Sequence, residues 1–173
     1  MSGLNVVNLV ATTRLGESFD LDQVADDLNI DFEPDQFPGM AYRITTPKVC
    51  VLLFRSGRAV ATGAKSIADA ESAFTQVHEA LETNGFTPWV TYDVITSNIV
   101  VTHDVGRPLN LAHLTLSLPM ARTEWEPEQF PGLIFRLSSP KSVCLIFSSG
   151  KCVITGNRSL DDAQDAVNAL EDE

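Results

Sequence analysis

The stretch from Glu33 to Phe74, EPDQFPGMAYRITTPKVCVLLFRSGRAVATGAKSIADAESAF, recurs from Glu126 to Val167 as EPEQFPGLIFRLSSPKSVCLIFSSGKCVITGNRSLDDAQDAV, with nearly half the positions identical at an offset of 93 (33 to 126). Upstream, Asn8-Leu9-Val10-Ala11-Thr12 aligns with Asn98-Ile99-Val100-Val101-Thr102 at an offset of 90 (8 to 98), so three residues are inserted between the two blocks. Solenoid arrays repeat about every 20 to 50 residues and need at least three copies. Two copies of about 90 residues point instead to a pseudo-twofold molecule, with repeats at 1–85 and 86–173.

Each repeat carries the same run of local signals. A β-rich stretch, Leu4 to Thr13, precedes Leu21-Asp22-Gln23-Val24-Ala25-Asp26-Asp27-Leu28, whose apolar residues fall at helical spacing. After Phe37-Pro38-Gly39, the runs Ala41–Thr45, Val49–Phe54 and Arg58–Thr62 are separated by Thr46-Pro47 and Ser56-Gly57, which reads as an antiparallel meander. Ser66 is the expected N-cap of a long amphipathic helix with Ile67, Ala70, Phe74, Val77 and Leu81 on one face, ending near Asn84-Gly85; Ser159 starts its twin. The fold class is therefore α+β, two similar units whose strands join one sheet and whose helices cover one face.

An antiparallel sheet packed on one side alternates apolar and polar residues. Here Lys48-Val49-Cys50-Val51-Leu52-Leu53-Phe54 and Ser142-Val143-Cys144-Leu145-Ile146-Phe147 are apolar at both parities. The second parity gathers Val10, Leu52, Phe54 and Val60 in one half and Val100, Leu145, Phe147 and Val153 in the other, interspersed with Asn8, Thr12, Thr62, Asn98, Thr102 and Thr155. A second sheet, another helix or a second copy, in a homodimer, would cover such a face. Exposed patches of this kind mark an interface.

Pairing Ala41–Thr45 with Val49–Phe54 about Thr46-Pro47 is expected to set Phe37 beside Phe54, and the Ser139-Pro140 turn to do the same for Phe130 and Phe147. Two phenylalanine pairs with Arg and Lys nearby supply what minor-groove wedging needs: apolar side chains to unstack base steps and cations for the flanking phosphates.

Net charge is −11, which by itself argues against a nucleic-acid partner. Its distribution reverses the argument. Ser66–Asn84 and Ser159–Glu173 hold no Lys or Arg, whereas Arg43, Lys48, Arg55, Arg58, Lys65, Arg136, Lys141, Lys151 and Arg158 lie in strand-like runs or at their ends. Cys50, Cys144 and Cys152 are odd in number, lack CxxC spacing and are read as buried thiols; no metal or cofactor is expected. His78, His103 and His113 are dispersed, and no Gly-rich phosphate loop or repeated nucleophile is present, so no catalytic residue is assigned. There is neither a membrane-length apolar run nor a leader-like start, and a cytoplasmic protein is expected.

QFPG with GLIFR, PKSVCLIFSSGK and VITG, present twice, resembles the conserved core of TATA-box-binding proteins across almost the whole chain. The resemblance implies a saddle: a curved ten-stranded antiparallel sheet facing DNA and four helices on its convex side. It implies that Phe37 with Phe54 and Phe130 with Phe147 wedge the two ends of a TATA element. Asn8, Asn98, Thr62 and Thr155 would meet base acceptors near its centre, above an apolar floor of Val10, Val100, Leu52, Leu145, Val60 and Val153. Arg43, Ser56, Arg58, Lys65, Arg136, Ser149, Lys151 and Arg158 occupy phosphate-contacting positions.

The implied role is a general transcription initiation factor, associated with the nucleoid, that bends promoter DNA and recruits transcription factor B, through Glu126 and Glu128, and RNA polymerase. Glu33 and Asp35 occupy the equivalent places in the first repeat. The start close to the first repeat resembles archaeal members. Acid on the helices and only four lysines suggest a high-salt cytoplasm. The competing reading is a non-catalytic module that grips a protein or small ligand with the same face.

Overall fold

The computed structural model describes residues 5–138 and 141–172; Leu4 and the Ser139-Pro140 turn fall outside them. The first repeat gives β1 (Asn5–Arg14), α1 (Leu21–Leu28), β2 (Met40–Ile44), β3 (Val49–Leu53), β4 (Arg58–Ala64) and α2 (Ile67–Thr83). The second gives β5 (Ile95–Asp104), α3 (Leu111–Ser117), a 3₁₀ turn at Met120–Arg122, β6 (Thr123–Glu124), β7 (Leu133–Ser138), β8 (Lys141–Ile146), β9 (Lys151–Asn157) and α4 (Leu160–Asp172). One compact unit is Asn8–Ser97, and the other takes the rest of the described chain. In the first, neighbouring antiparallel strands run β2-β3-β4-β1; in the second, β5-β9-β8-β7-β6.

The helices begin where side chains cap them. Asp20 and Asn110 accept from the backbone N–H groups of Gln23 and His113 (3.4 and 3.1 Å). Ser66 and Ser159 do the same for Asp69 and Asp162 (3.1 and 3.0 Å), which satisfies donors that the first helical turn leaves free. On α2, Ala70, Ala73, Phe74, Val77 and Leu81 are buried, and the helix packs on β2, β3 and β4. Ile67, expected on that face, is 39% exposed, because it opens the helix before the buried stripe begins at Ala70. In the second unit α4 buries Ala163, Ala166 and Val167 and packs on β7, β8 and β9.

Nine strands are present among the described residues, not the expected ten, and the three-residue insertion accounts for the difference. Helices α1 and α3 begin 90 residues apart (21 to 111), but β2 and β7 begin 93 apart (40 to 133). The extra length lies between helix and meander, where the second repeat forms its 3₁₀ turn and β6. In the first repeat α1 closes on Asn29, in the left-handed conformation (φ 56°), and the Ile30 N–H donates to Ala25 O (2.9 Å). That helix-terminating bond ties up the backbone that would otherwise begin an edge strand.

Candidate nucleic-acid interface

Strand register settles which side chains share a face. In the first unit Leu9, Ala11, Val51, Leu53, Ala59 and Ala61 are buried beneath the helices. The opposite parity, Val10, Thr12, Leu52, Phe54, Val60 and Thr62, is half-buried. Leu52 is paired with Val60, and Val60 with Thr12. The second unit repeats this: Leu145 pairs with Val153 and Val153 with Thr102, and Val100, Phe147 and Thr155 are half-buried on the same parity. The sequence-predicted apolar floor is thus brought together within each unit.

The phenylalanine pairs form, by a route different from the one expected. Phe37 and Phe54 meet edge to face with centroids 6.0 Å apart and planes at 63°; Phe130 and Phe147 do so at 5.9 Å and 66°. The β2–β3 register, with Met40 opposite Leu53, extrapolates to Gly39 opposite Phe54, two residues away from the expected Phe37. A Cβ on Gly39 would lie 2.7 Å from Phe37 Cε2 and 3.0 Å from Phe54 Cε1, and Gly132 stands in the same relation to Phe130 and Phe147. The glycine of each FPG motif therefore leaves the space in which two rings converge. Phe37 and Phe130 remain 46% and 38% exposed, a large apolar surface to leave in water.

Asn8 and Asn98 owe their orientation to a backbone irregularity. The β1–β4 register shifts between Leu9 and Ala11, and the β5–β9 register shifts between Ile99 and Val101, which places an extra residue on β4 and on β9. Gly63 and Gly156 take positive φ there (91° and 96°). Their N–H groups donate to Asn8 Oδ1 (2.7 Å) and Asn98 Oδ1 (2.8 Å). Because the oxygen is committed to the bulge, the network assigns Nδ2, the donor end, to the open face. Asn98 Nδ2 also lies 3.2 Å from Thr155 Oγ1.

Among the cations, Arg43, Arg58, Lys65, Arg136, Lys151 and Arg158 are exposed, as are Ser56 and Ser149. Arg136 is ion-paired with Glu124 of β6 at 3.3 Å. At such exposure the pair is a weak one. Arg55 instead turns toward α1, pairing with Asp22 at 3.1 Å. The exposed acids Glu71, Glu79, Glu82, Asp161 and Asp165 lie on α2 and α4. Glu126 and Glu128 are exposed, as are Glu33 and Asp35, and Glu126 O and Glu33 O each accept from the N–H of the following phenylalanine, Phe130 or Phe37 (3.0 and 3.1 Å).

The cysteines divide. Cys144 and Cys152 are buried, and burial, reinforced by Cys152, pushes the Cys144 thiol up to about 12. Cys50 is half-buried on the open face opposite Thr62, because it stands two and four positions before Leu52 and Phe54 and so shares their parity. Two residues that sequence reasoning passed over also stand at this face, Arg14 and Trp89. The Arg14 guanidinium donates to Gly16 O, Ser56 O and Glu17 O (3.1, 3.1 and 3.0 Å) and lies 5.2 Å from the Trp89 ring centroid. No local pattern links positions 14 and 89.

Fold and face define a duplicated α+β protein that presents an apolar, cation-flanked sheet surface in each repeat. The family model described as transcription factor TFIID, or TATA-binding protein, matches residues 3–84 and again 93–172. The TATA-box-binding protein of Natronomonas pharaonis is 44% identical over 168 residues, covering 96% of this chain and 90% of that protein. That of Methanococcus aeolicus is 45% identical over 170 residues, covering 98% and 92%. The solved structure of Methanococcus jannaschii TBP superimposes with a TM-score of 0.90 at 43% identity, covering 99% of this chain and 97% of that one. The chain belongs to the TATA-box-binding protein family.

Proposed function

We propose that this protein is a general transcription initiation factor that binds and bends the TATA element through the minor groove, without catalysing a reaction. The carrying observation is the pair of edge-to-face phenylalanine couples, each built over a glycine and left exposed beside an apolar sheet face. Inserted between base steps, such rings exchange exposure to water for stacking and open the groove over the sheet. TATA-type kinking is a standing example of that mechanism.

The roles follow the repeat symmetry. Phe37, Phe54, Phe130 and Phe147 act as wedges. Asn8 and Asn98 donate to the N3 and O2 acceptors of A·T pairs, with Thr62 and Thr155 beside them, over a floor of Val10, Leu52, Val60, Val100, Leu145 and Val153. A guanine amino group would face the same donors and the same apolar floor without an acceptor, which favours A·T. Arg43, Ser56, Arg58, Lys65, Arg136, Ser149, Lys151 and Arg158 hold phosphates. Repeats 1–85 and 86–173 each take one end of the element. The acidic turn at Glu126 and Glu128 receives transcription factor B, and RNA polymerase follows through it.

A net charge of −11, with acid but no Lys or Arg on α2 and α4, and only four lysines suit a high-salt interior. Salt screens phosphate attraction and leaves ring burial intact. Gel shifts on a TATA duplex and a G·C-rich duplex, from low to molar salt, test the reading. Retention of TATA binding in molar salt with no G·C binding is the expected result. Equal affinity for both duplexes would overturn the minor-groove assignment.

A further inference from the structure

We propose that Arg14 and Trp89, together with Ser56 and Arg58, form a phosphodiester-binding site at one end of the first repeat's sheet that the second repeat lacks. The inference rests on the duplex-binding reading above and adds to it a contact at one end only. The residues between α2 and β5 run back along the end of β1: Trp89 N–H donates to Leu15 O (2.6 Å) and the Thr13 hydroxyl to Asp93 O (2.5 Å). They border an open cleft of about 620 Å³ whose lining includes Thr12, Arg14, Ser56, Arg58, Trp89 and Asp93. Residues 85–92, Trp89 among them, lie between the two stretches matched by the family model.

The lining is that of an anion site. Arg14 is held by three carbonyl oxygens, so its position is fixed while its charge stays uncompensated. Among the described residues neither Arg14 nor Arg58 forms an ion pair, and the only carboxylate in the lining is that of Asp93. A guanidinium suits phosphate oxygens geometrically as well as by charge. Trp89, 41% exposed, adds a flat apolar wall on which a sugar can rest.

The site is also in the right place. The Phe54 N–H donates to Arg58 O, and Arg58 is opposite Arg14 in the ladder, so a row across the strands reads Phe54, Arg58, Arg14. At about 4.8 Å per strand, Arg14 stands roughly 10 Å from the wedge ring's strand. That is where the sugar-phosphate rail flanking a minor groove about 6 Å wide would run. In the second repeat the corresponding row reads Phe147, Lys151, Asp104. Two positive charges in one row face one positive and one negative charge in the other.

The affinity of the full chain for a TATA duplex with flanking base pairs on both sides, measured by fluorescence anisotropy across a salt series, tests this. Each phosphate contact contributes about 0.9 to the slope of log K against log salt. Arg14→Gln is expected to lower the slope by about one contact, Asp104→Arg to raise it by about one, and Trp89→Ala to weaken binding less than about tenfold with the slope unchanged. Arg14 also braces three carbonyls, so thermal unfolding accompanies each variant. Asp104→Arg, a gain at an exposed position, keeps the row geometry testable even where Arg14→Gln does not fold.

Unchanged slopes in folded Arg14→Gln or in Asp104→Arg would overturn the site while leaving duplex binding standing. An unaltered chain that fails to bind the duplex would overturn both. An unchanged slope with capture of a polyglutamate peptide, lost in Arg14→Gln, would reassign the cavity to an acidic polypeptide and overturn the phosphodiester assignment.

Discussion

The two repeats agree most closely at the ring pairs and asparagines of the open face and part where their helices pack. Ring separations of 6.0 and 5.9 Å, interplanar angles of 63° and 66°, and Asn-to-bulge distances of 2.7 and 2.8 Å are nearly the same in both halves. Beneath the helices the sequences part. Leu15 and Phe19 of the first repeat correspond to Val105 and Leu109 of the second; the first two are buried, whereas Val105 is 36% exposed. The smaller residues leave a cavity of about 510 Å³ lined by Val105, Leu109, Leu114, Leu118, Ile146 and Cys152 among others. A core tolerates changes in shape and volume at modest cost, whereas ring pairs acting as the proposed wedges would have to match a duplex whose two strands are alike.

The largest expected effect follows from the matched rings. Replacing Phe54 and Phe147 together by Ala should abolish bending of a TATA duplex, read by fluorescence energy transfer between its ends. Each single replacement should cost roughly 2 to 4 kcal/mol of affinity, the range of central interface anchors. Equal single losses fit the symmetry; a tenfold difference would show that the two ends grip unequally.

Next come the glycines. Gly57 has φ 89° and a Cβ there would stand 1.9 Å from Gly16 O, so Gly57→Ala should destabilise the fold by about 3 kcal/mol or more in urea unfolding. Gly39→Ala has ring atoms of Phe37 and Phe54 as its nearest neighbours and should cost about 1 kcal/mol of stability while weakening duplex binding at least tenfold. If Gly39→Ala bound normally, the space between the rings would not matter.

A third expectation concerns the looser core. Leu109→Phe places the first repeat's residue in the second repeat's cavity and should stabilise by about 0.5 to 2 kcal/mol, raising the midpoint of thermal unfolding. A lowered midpoint would mean that the backbone of the second repeat has already closed around the smaller side chain.

The smallest effect is alkaline. Cys144 corresponds to Val51 in the first repeat, and burial raises its thiol to about 12 from 9.0. Above pH 9 the unfolded chain loses this proton and the folded chain keeps it, so stability is full below pH 9 and falls as pH rises toward 12. Cys144→Val should flatten that decline in denaturant titrations over the same range. A decline of unchanged steepness would place its origin elsewhere.

Much of this was readable in the chain because it depends on short-range chemistry. Ser66 and Asn84 bracket α2 as capping residues must, and the turns at Thr46-Pro47 and Ser56-Gly57 delimit the meander. The open face was readable because both parities of β3 are apolar while α2 can cover only one. Four features were not. The position of Phe37 over Gly39 depends on a register two residues away from the one that symmetry about the turn suggested. The lost edge strand depends on which bonds end α1. Cys50 resembles its buried relatives in composition and differs only in parity. Arg14 meets Trp89 across 75 positions (14 to 89), a distance at which periodicity carries no information.

The bulge at Gly63 and Gly156 has a consequence for how such a protein can change. The oxygen of each asparagine amide is occupied by the fold before any ligand arrives, so the donor end is aimed at no entropic cost at the moment of binding. An Asn→Asp exchange would keep the bond to the glycine and replace a donor by an acceptor, whereas most other exchanges would strand a backbone N–H. In the function proposed above, preference for acceptor-rich base edges is thereby tied to foldability, and a lineage drifting toward G·C-rich start sites would have to rebuild a strand before it could rewrite its promoters.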